Sequence, residues 1–179
     1  MLDQELVVAT VSKAAKDVFS TMLGLEIELG QSFIDTAAPT ESQKVVALIG
    51  LAGQWIGTGV VSCSPEFACR IASLMLMADY PGVNEEVLDA MAEMANMIFG
   101  NVKTDLEEQL GVLGLSIPTV IFGRNFATRS AGQQAWTVFP IKAGSDEMEL
   151  KFCLMPNRAF QSFHRNARAQ PITVEQAHS

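Results

Sequence analysis

The chain has 179 residues, of which 49% are hydrophobic and 18% are charged, and its formal net charge is −8. This length fits one domain with a sizeable core, and the apolar content excludes a disordered chain. The acidic balance argues against a nucleic-acid-binding protein, because contacts to phosphates need a basic surface.

The first half of the chain predicts one helix followed by three strands. Residues 3–23 repeat apolar side chains with helical period and stop at Gly24, a residue type that commonly ends helices. A loop is predicted over 36–43. Segments rich in β-branched and apolar residues predict strands at 25–34, 44–51 and 55–63. The tripeptide Ala52-Gly53-Gln54 predicts a hairpin turn between the last two strands.

The second half predicts two helices followed by three more strands. Ser64-Pro65-Glu66 has the order of an N-cap, a first-turn proline and an acid, so a helix is expected from about 65 to 78. A long amphipathic helix is expected over Asn84 to Gly111, with Asn84 as its cap. The strands are expected at 115–122, 134–142 and 147–155.

This order of elements, αβββααβββ, predicts an α/β fold. We expect a two-layer sandwich in which a mostly antiparallel six-stranded sheet packs against long helices. An ungapped alignment of residues 13–24 with residues 89–100 places Gly24 on Gly100, which predicts two duplicated αβββ halves. The single domain is expected over residues 1–156, and a polar C-terminal tail over residues 157–179.

Several common kinds of active site are not predicted by the sequence. The two histidines, His164 and His178, lie in the tail away from any nucleophile-like serine or cysteine, and no Cys/His cluster predicts a metal site. Cys63, Cys69 and Cys153 lack CxxC spacing, so we expect reduced, buried thiols. No signal-like segment opens the chain and no apolar run reaches the ~20 residues that span a bilayer, so a cytoplasmic protein is expected.

The long helix carries the strongest functional signal. Asp89, Glu93, Asn96 and Gly100 recur at i, i+4, i+7 and i+11, which places them within about 60° of one another around the helix. The opposite side is apolar and is predicted to dock on the sheet. A solvated charged face is the ordinary explanation of such a line. Asn96 and Gly100 weaken that explanation, because both are poor helix formers and a mid-helix glycine costs about 1 kcal/mol relative to alanine.

Small or flexible apolar residues flank this polar line. They are Ala90, Ala92 and Met97, where a solvent-facing helix would usually carry lysines. A polar line with an apolar rim is typical of a contact surface. The sequence therefore favours a helix that binds another macromolecule.

The spacing Asp89-x3-Glu93-x2-Asn96, with Pro118 after 21 intervening residues, resembles the signature of the CheC/CheX/FliY family of chemotaxis phosphatases. The predicted elements and the internal repeat agree with that family over about residues 5–155. Two-site members of the family carry the motif in both halves. In the first half of this chain, the aligned positions hold Lys13, Asp17 and Ser20, so the resemblance implies a single-site, CheX-like member.

The resemblance implies a phosphatase that acts on the phosphorylated aspartate of a CheY-type response regulator. It implies that Glu93 forms an ion pair with the regulator's active-site lysine and that Asn96 orients the attacking water. We expect Asp89, Met97 and Gly100 at partner-binding positions around them. No cofactor or metal is expected on this chain, Mg²⁺ is expected on the regulator, and a homodimer is implied.

Two other function classes stay open at this stage. A non-catalytic module that binds a response regulator, or a relative of the flagellar switch proteins, would use the same helix as a docking surface. An enzyme acting on a small molecule is the weaker alternative, because no convergent set of titratable groups is visible elsewhere.

Overall fold

A computed structural model describes residues 3–35, 40–41, 44–123, 126–127 and 135–159 of the chain. Most of the predicted loop at 36–43 lies outside the described residues. So do the predicted tail beyond residue 159 and both of its histidines, His164 and His178.

Three helices cover one face of a sheet. They are α1 (Gln4–Val18), which continues into a π-helical turn over Phe19–Leu23, α2 (Pro65–Leu76) and α3 (Glu85–Leu110). The predicted caps are confirmed, because the side chains of Ser64 and Asn84 accept hydrogen bonds from Phe67 N at 3.1 Å and Val87 N at 3.0 Å. Gly24 ends the first helix in the left-handed region, with φ 61°.

Ten strands are described. They are β1 (Glu28–Leu29), β2 (Phe33–Asp35), β3 (Thr40–Glu41), β4 (Lys44–Gly53), β5 (Trp55–Cys63), β6 (Leu113–Leu115), β7 (Thr119–Gly123), β8 (Phe126–Ala127), β9 (Trp136–Ala143) and β10 (Asp146–Pro156). The main sheet has the order β1-β9-β10-β5-β4-β6, with β2 also on β9 and β7 also on β4. Its eight segments therefore occupy six positions, as predicted, and every described pairing is antiparallel.

The strand order reveals the predicted duplication. Each strand of one half has a counterpart in the other: β1/β2 corresponds to β6/β7, β4 to β9 and β5 to β10. Replacing every strand by its counterpart gives the same strand order, read from the opposite edge of the sheet. The two halves therefore meet at the β5–β10 pair in the middle of the sheet. Helices α1 and α3, one from each half, pack against each other on the same face.

The centre of α3 is fixed on the sheet by Phe99. Its ring stacks on Phe152 of β10, with centroids 5.8 Å apart and planes 12° from parallel. The ring also lies directly on Gly59 of β5, because a Cβ built at Gly59 would come within 2.6 Å of three ring atoms. Gly59 and Phe152 are paired across the two strands, so the backbone of Gly59 and the ring of Phe152 form one continuous surface on which Phe99 packs.

The three cysteines are confirmed as buried thiols that form no disulfide. Burial raises the pKa of Cys63 to about 12 and also raises the pKa of Cys153. Because only the thiolate is a good nucleophile, these groups are suited to packing and not to nucleophilic chemistry.

The packing of Phe99 on Gly59 predicts the effect of Gly59→Ala. The added methyl group would displace the ring from its position over β5, so we expect the free energy of unfolding to fall by about 1–3 kcal/mol. Urea denaturation followed by circular dichroism measures the change. Gly114→Ala is the matched control, because this strand glycine has ordinary space around it, with the nearest atom at 3.5 Å. Equal stability of the two variants would contradict the role given to Gly59.

Candidate functional site

Helix α3 is a rigid support for its exposed side. It has 26 residues and packs against α1, α2 and the strands β4, β5, β6 and β7. Its buried side chains are Val87, Ala90, Met91, Met94, Ala95, Ile98, Phe99, Val102 and Leu106. With so much of its circumference in contact with other elements, the helix holds its exposed side in a fixed orientation.

The five residues expected at the site lie on the open side of α3. Asp89 and Glu93 are exposed, whereas Asn96, Met97 and Gly100 are partly buried. The acid and the amide that the sequence pairs, Glu93 and Asn96, are one turn apart, which corresponds to about 5–6 Å between their Cβ atoms. Both side chains are therefore accessible from the same direction.

The rim of this polar line differs from the expectation at one residue. Ala90 was expected at the exposed rim, but it is 4% exposed and belongs to the core. The expectation was wrong because α1 and α2 both pack along α3 in addition to the sheet, so the buried arc is wider than one helix face. Ala92 and Met97 remain partly exposed beside the polar line.

The carboxylate of Glu93 and the amide of Asn96 have no partner within the described part of the chain, where neither side chain takes part in a hydrogen bond or an ion pair. The local sequence explains this for the carboxylate, since no lysine or arginine occurs between Arg70 and Lys103. Glu93 can therefore accept a cation from another molecule without first losing one of its own.

Near the C-terminal end of α3, a lysine does pair with a glutamate. Lys103 Nζ donates to Glu107 at 2.8 Å, and the second oxygen of Glu107 accepts from Leu113 N at 2.8 Å. These two bonds lower the pKa of Glu107 and tie the end of α3 to the start of β6. Sequence reasoning did not identify this connection, although the i, i+4 spacing of Lys103 and Glu107 was available as a signal.

The corresponding part of α1 is arranged differently. Lys13, which aligns with Asp89, donates to Asp105 of α3 at 2.8 Å, and this bond raises the pKa of the lysine. Ser20, which aligns with Asn96, donates through its Oγ to the backbone oxygen of Asp17 at 3.2 Å. Ser20 also lies in the π-helical turn, which changes the spacing of side chains around the helix. The first half therefore presents no amide or glutamate to a partner at these positions.

Elsewhere the described residues offer little for other chemistry. They contain no group of three His, Cys, Asp or Glu side chains able to hold a metal ion. A hollow of about 310 Å³ includes charged side chains from β9 and β10, but its Lys142 and Glu147 pair with each other at 3.2 Å. No described helix has the length and apolar content required to cross a bilayer.

The sequence is similar to one family model and to proteins of known name. The family model described as chemotaxis phosphatase CheX matches residues 45–142, more than half of the chain. The CheY-P phosphatase CheX of Thermotoga maritima is 29% identical over 127 residues, which cover 70% of this chain and 78% of the relative.

Two solved structures extend the comparison. The chemotaxis protein CheX from Desulfovibrio desulfuricans has a TM-score of 0.74 at 25% identity, covering 83% of this chain and 99% of that one. CheX of Borrelia burgdorferi, solved in a CheX-CheY-BeF3-Mg complex, has a TM-score of 0.70 at 24% identity, covering 83% and 97%.

Gly100 occupies the exposed line without a structural need for glycine. A Cβ built there would meet a single atom, Leu115 Cδ1, at 4.0 Å. Because glycine is less favourable than alanine in a helix interior, Gly100→Ala is expected to raise the free energy of unfolding by about 1 kcal/mol. Chemical denaturation measures the gain.

Gly24→Ala is the control for Gly100→Ala. A Cβ at Gly24 would meet no atom within 4 Å, but its φ of 61° is unfavourable for alanine, so the free energy of unfolding is expected to fall. If Gly100→Ala also destabilised the protein, Gly100 would have a structural role in the helix.

Proposed function

Because the chain belongs to the CheX family of chemotaxis phosphatases, we propose that it removes phosphate from the phosphorylated aspartate of a CheY-type response regulator. The exposed side of α3 enters the regulator's active site. Glu93 pairs with the lysine of that site, Asn96 orients the attacking water, and Asp89, Met97 and Gly100 contact the surrounding surface.

One observation carries this proposal: a carboxylate and an amide, neither of them bonded to any described residue, project from the same side of a rigidly held helix. A side chain that is already paired must lose that bond before it can bind a partner, whereas Glu93 and Asn96 need not. Their neighbours support close approach, since Gly100 has no side chain and Met97 is a flexible apolar residue suited to irregular surfaces. The helix therefore supplies charge, hydrogen bonding and shape at one place.

The division of chemistry between the two proteins accounts for the small number of residues needed. In phosphoryl transfer most of the catalytic effect comes from positioning and from neutralising charge on the phosphoryl oxygens. We propose that the regulator supplies the lysine and the Mg²⁺ ion. The side-chain oxygen of Asn96 accepts a hydrogen bond from the water and its NH₂ group donates to the phosphoryl group, so that the water is aligned with the phosphorus–oxygen bond that breaks.

The relatives support the identity of the substrate. The protein from Thermotoga maritima is named a CheY-P phosphatase, and the protein from Borrelia burgdorferi is seen bound to CheY with BeF3 and Mg²⁺. We therefore propose a cytoplasmic protein whose catalytic domain spans residues 1–156. We also propose a homodimer, on the family resemblance, which size-exclusion chromatography with light scattering would test.

The alternative is a non-catalytic module that binds the same regulator. FliM from H. pylori, solved as a FliM-SpeE complex, has the same fold, with a TM-score of 0.64 at 13% identity, covering 96% of this chain and 100% of that one. In this alternative α3 docks on the regulator but does not accelerate the loss of phosphate. The two functions therefore differ in catalysis and not in binding.

The variant Asn96→Ala separates catalysis from binding. Each CheY-type regulator of the source organism is phosphorylated with acetyl phosphate and Mg²⁺, and release of phosphate is followed with and without the protein. Loss of the amide is expected to lower the catalysed rate by about 100-fold, because the water is no longer aligned, while the affinity for the beryllofluoride form of the regulator changes little. Asn101→Ala, an exposed asparagine of the same helix, is expected to retain the wild-type rate. Binding of a regulator without acceleration by the wild-type protein would establish the non-catalytic module.

The variant Glu93→Gln tests the proposed ion pair. Replacing the carboxylate leaves the regulator's lysine without its partner, so the dissociation constant for the beryllofluoride form is expected to rise about tenfold or more. Calorimetry or fluorescence titration measures it. Glu108→Gln removes the same charge from an exposed position near the end of α3 and controls for long-range electrostatics. If the two variants bind equally well, Glu93 does not form the proposed contact.

A further inference from the structure

The edge of the sheet beside α3 contains a β-bulge. Strands β6 and β7 are two parts of one edge strand along β4, but their registers differ by one residue. The pairs are Leu51↔Leu115 in β6 and Leu48↔Thr119 in β7, and Ser116 continues the first register by donating from its N to Gly50 O at 2.9 Å. Two residues, Ile117 and Pro118, are therefore opposite the single residue Ile49. Two residues facing one is the definition of a bulge, a feature that redirects side chains.

Hydrogen bonds of Ser116 hold this bulge in place. In addition to the bond from its N, its Oγ accepts from Gly50 N at 2.9 Å and donates to Ile117 O at 2.9 Å. Pro118 has no N–H to pair, so it suits a position that has left the ladder. Ile117 is nevertheless 87% exposed. The strand therefore holds a large apolar side chain rigidly in solvent.

The pairing at the bulge places Ile117 on the same face of the sheet as α3. Ile117 is opposite Ile49, whose side chain is buried in the core beneath the helices, and residues opposite each other on antiparallel strands point to the same face. Leu115 is the side chain that a Cβ at Gly100 would approach, at 4.0 Å. The exposed line of α3 is therefore continuous, through Gly100 and Leu115, with Ile117.

The first half of the chain provides an internal comparison. Its edge strand along β9 has the same bulge, because the register changes by one residue between Leu29↔Ile141 in β1 and Phe33↔Val138 in β2. The residues at that bulge are Gln31 and Ser32, which are polar. The half with Glu93 and Asn96 on its helix thus has an exposed isoleucine at the bulge, and the half without them has a glutamine.

The size of the contact surface also requires more than the helix. The line from Asp89 to Gly100 is about 16 Å long at 1.5 Å per residue, and on a helix about 10 Å wide it presents on the order of 160 Å². Specific complexes bury about 800 Å² on each partner. A regulator that receives α3 must therefore contact surfaces beside the helix, and Ile117 is the exposed apolar residue that continues directly from Gly100.

We infer that Ile117 is a second anchor for the phosphorylated regulator, which binds it in an apolar depression next to its phosphorylated aspartate. This inference rests on the proposed function. Ile117 takes no part in the chemistry; it orients the regulator so that Glu93 and Asn96 enter its active site. Its rigid support means that little side-chain or loop entropy is lost on binding.

The test compares Ile117→Gln, which introduces the residue found at the first bulge, with Val112→Gln. Val112 is also β-branched and 79% exposed, but it precedes β6, about five residues away along the edge strand. The affinity of each full-length variant for the beryllofluoride form of the source organism's CheY-type regulators is measured by titration. The dephosphorylation kinetics of the same regulators give KM and kcat.

Ile117→Gln is expected to raise Kd and KM about tenfold while kcat at saturation stays within about twofold. Ile117→Val is expected to restore most of the affinity, and Val112→Gln is expected to bind as the wild type does. Wild-type affinity of Ile117→Gln, alongside the loss of activity in Asn96→Ala, would overturn the second anchor and leave the proposed function standing. Absence of binding and of activity in the wild-type protein, with every regulator, would overturn both. A fall in thermal stability of Ile117→Gln that accounts for its weaker binding would assign Ile117 to the fold and would also overturn the inference.

Discussion

The contact of Phe99 with Gly59 and Phe152 determines which way α3 faces. A ring that lies on a glycine backbone and stacks on a second ring has little freedom to slide or to roll. The residues at i−3 and i+1 from Phe99 are Asn96 and Gly100, so the rotation of the helix about its axis at Phe99 sets the direction of both. A small residue in the middle of a strand thus controls the orientation of an amide on the outer surface of the protein.

The arrangement of charges on α3 carries some cost to the isolated helix. Glu85, Asp89 and Glu93 follow one another at i, i+4 and i+8, and like charges at this spacing destabilise a helix by about 0.2–0.5 kcal/mol per pair. The positive end of the helix offsets the charge of Glu85 in the first turn, but Glu93 lies beyond its reach. Under the proposed function, a lysine of the regulator relieves this repulsion on binding. The same carboxylates would therefore weaken the free helix and strengthen the complex.

Local signals in the sequence were sufficient to predict the helices and strands, but they were insufficient to predict the register in which the strands pair. The caps Ser64 and Asn84 and the stop at Gly24 act through neighbouring backbone groups, so the bounds of the helices followed from them. The prediction of one continuous strand over 115–122 missed the bulge at Pro118, because a bulge depends on pairing with β4, some 65 residues earlier. The burial of Ala90 was missed for a similar reason, since periodicity in one helix does not reveal how many others pack against it.

The candidate site divides in the same way. The polar line on α3 was visible in the sequence because helical spacing alone brings Asp89, Glu93, Asn96 and Gly100 to one side. The sequence did not indicate that Ile117, the proposed second anchor, lies near this polar line, since only the sheet brings it beside the helix. Pro118 belonged to the resemblance that the sequence showed, and the structure gives it a physical place, at a bulge where a missing N–H does no harm.

The two halves of the chain differ at three corresponding places. In α1, Lys13 occupies the position that Asp89 has in α3, and it forms an ion pair with Asp105 of α3. A position on the exposed polar line of the second half therefore corresponds, in the first half, to a contact between the two helices. Ser20 bonds to its own helix, and the first bulge carries Gln31 where the second carries Ile117. Helix, motif and edge strand therefore differ together between the halves. Under the proposed function, concerted differences of this kind are expected, because a regulator that does not contact a helix places no requirement on the bulge beside it.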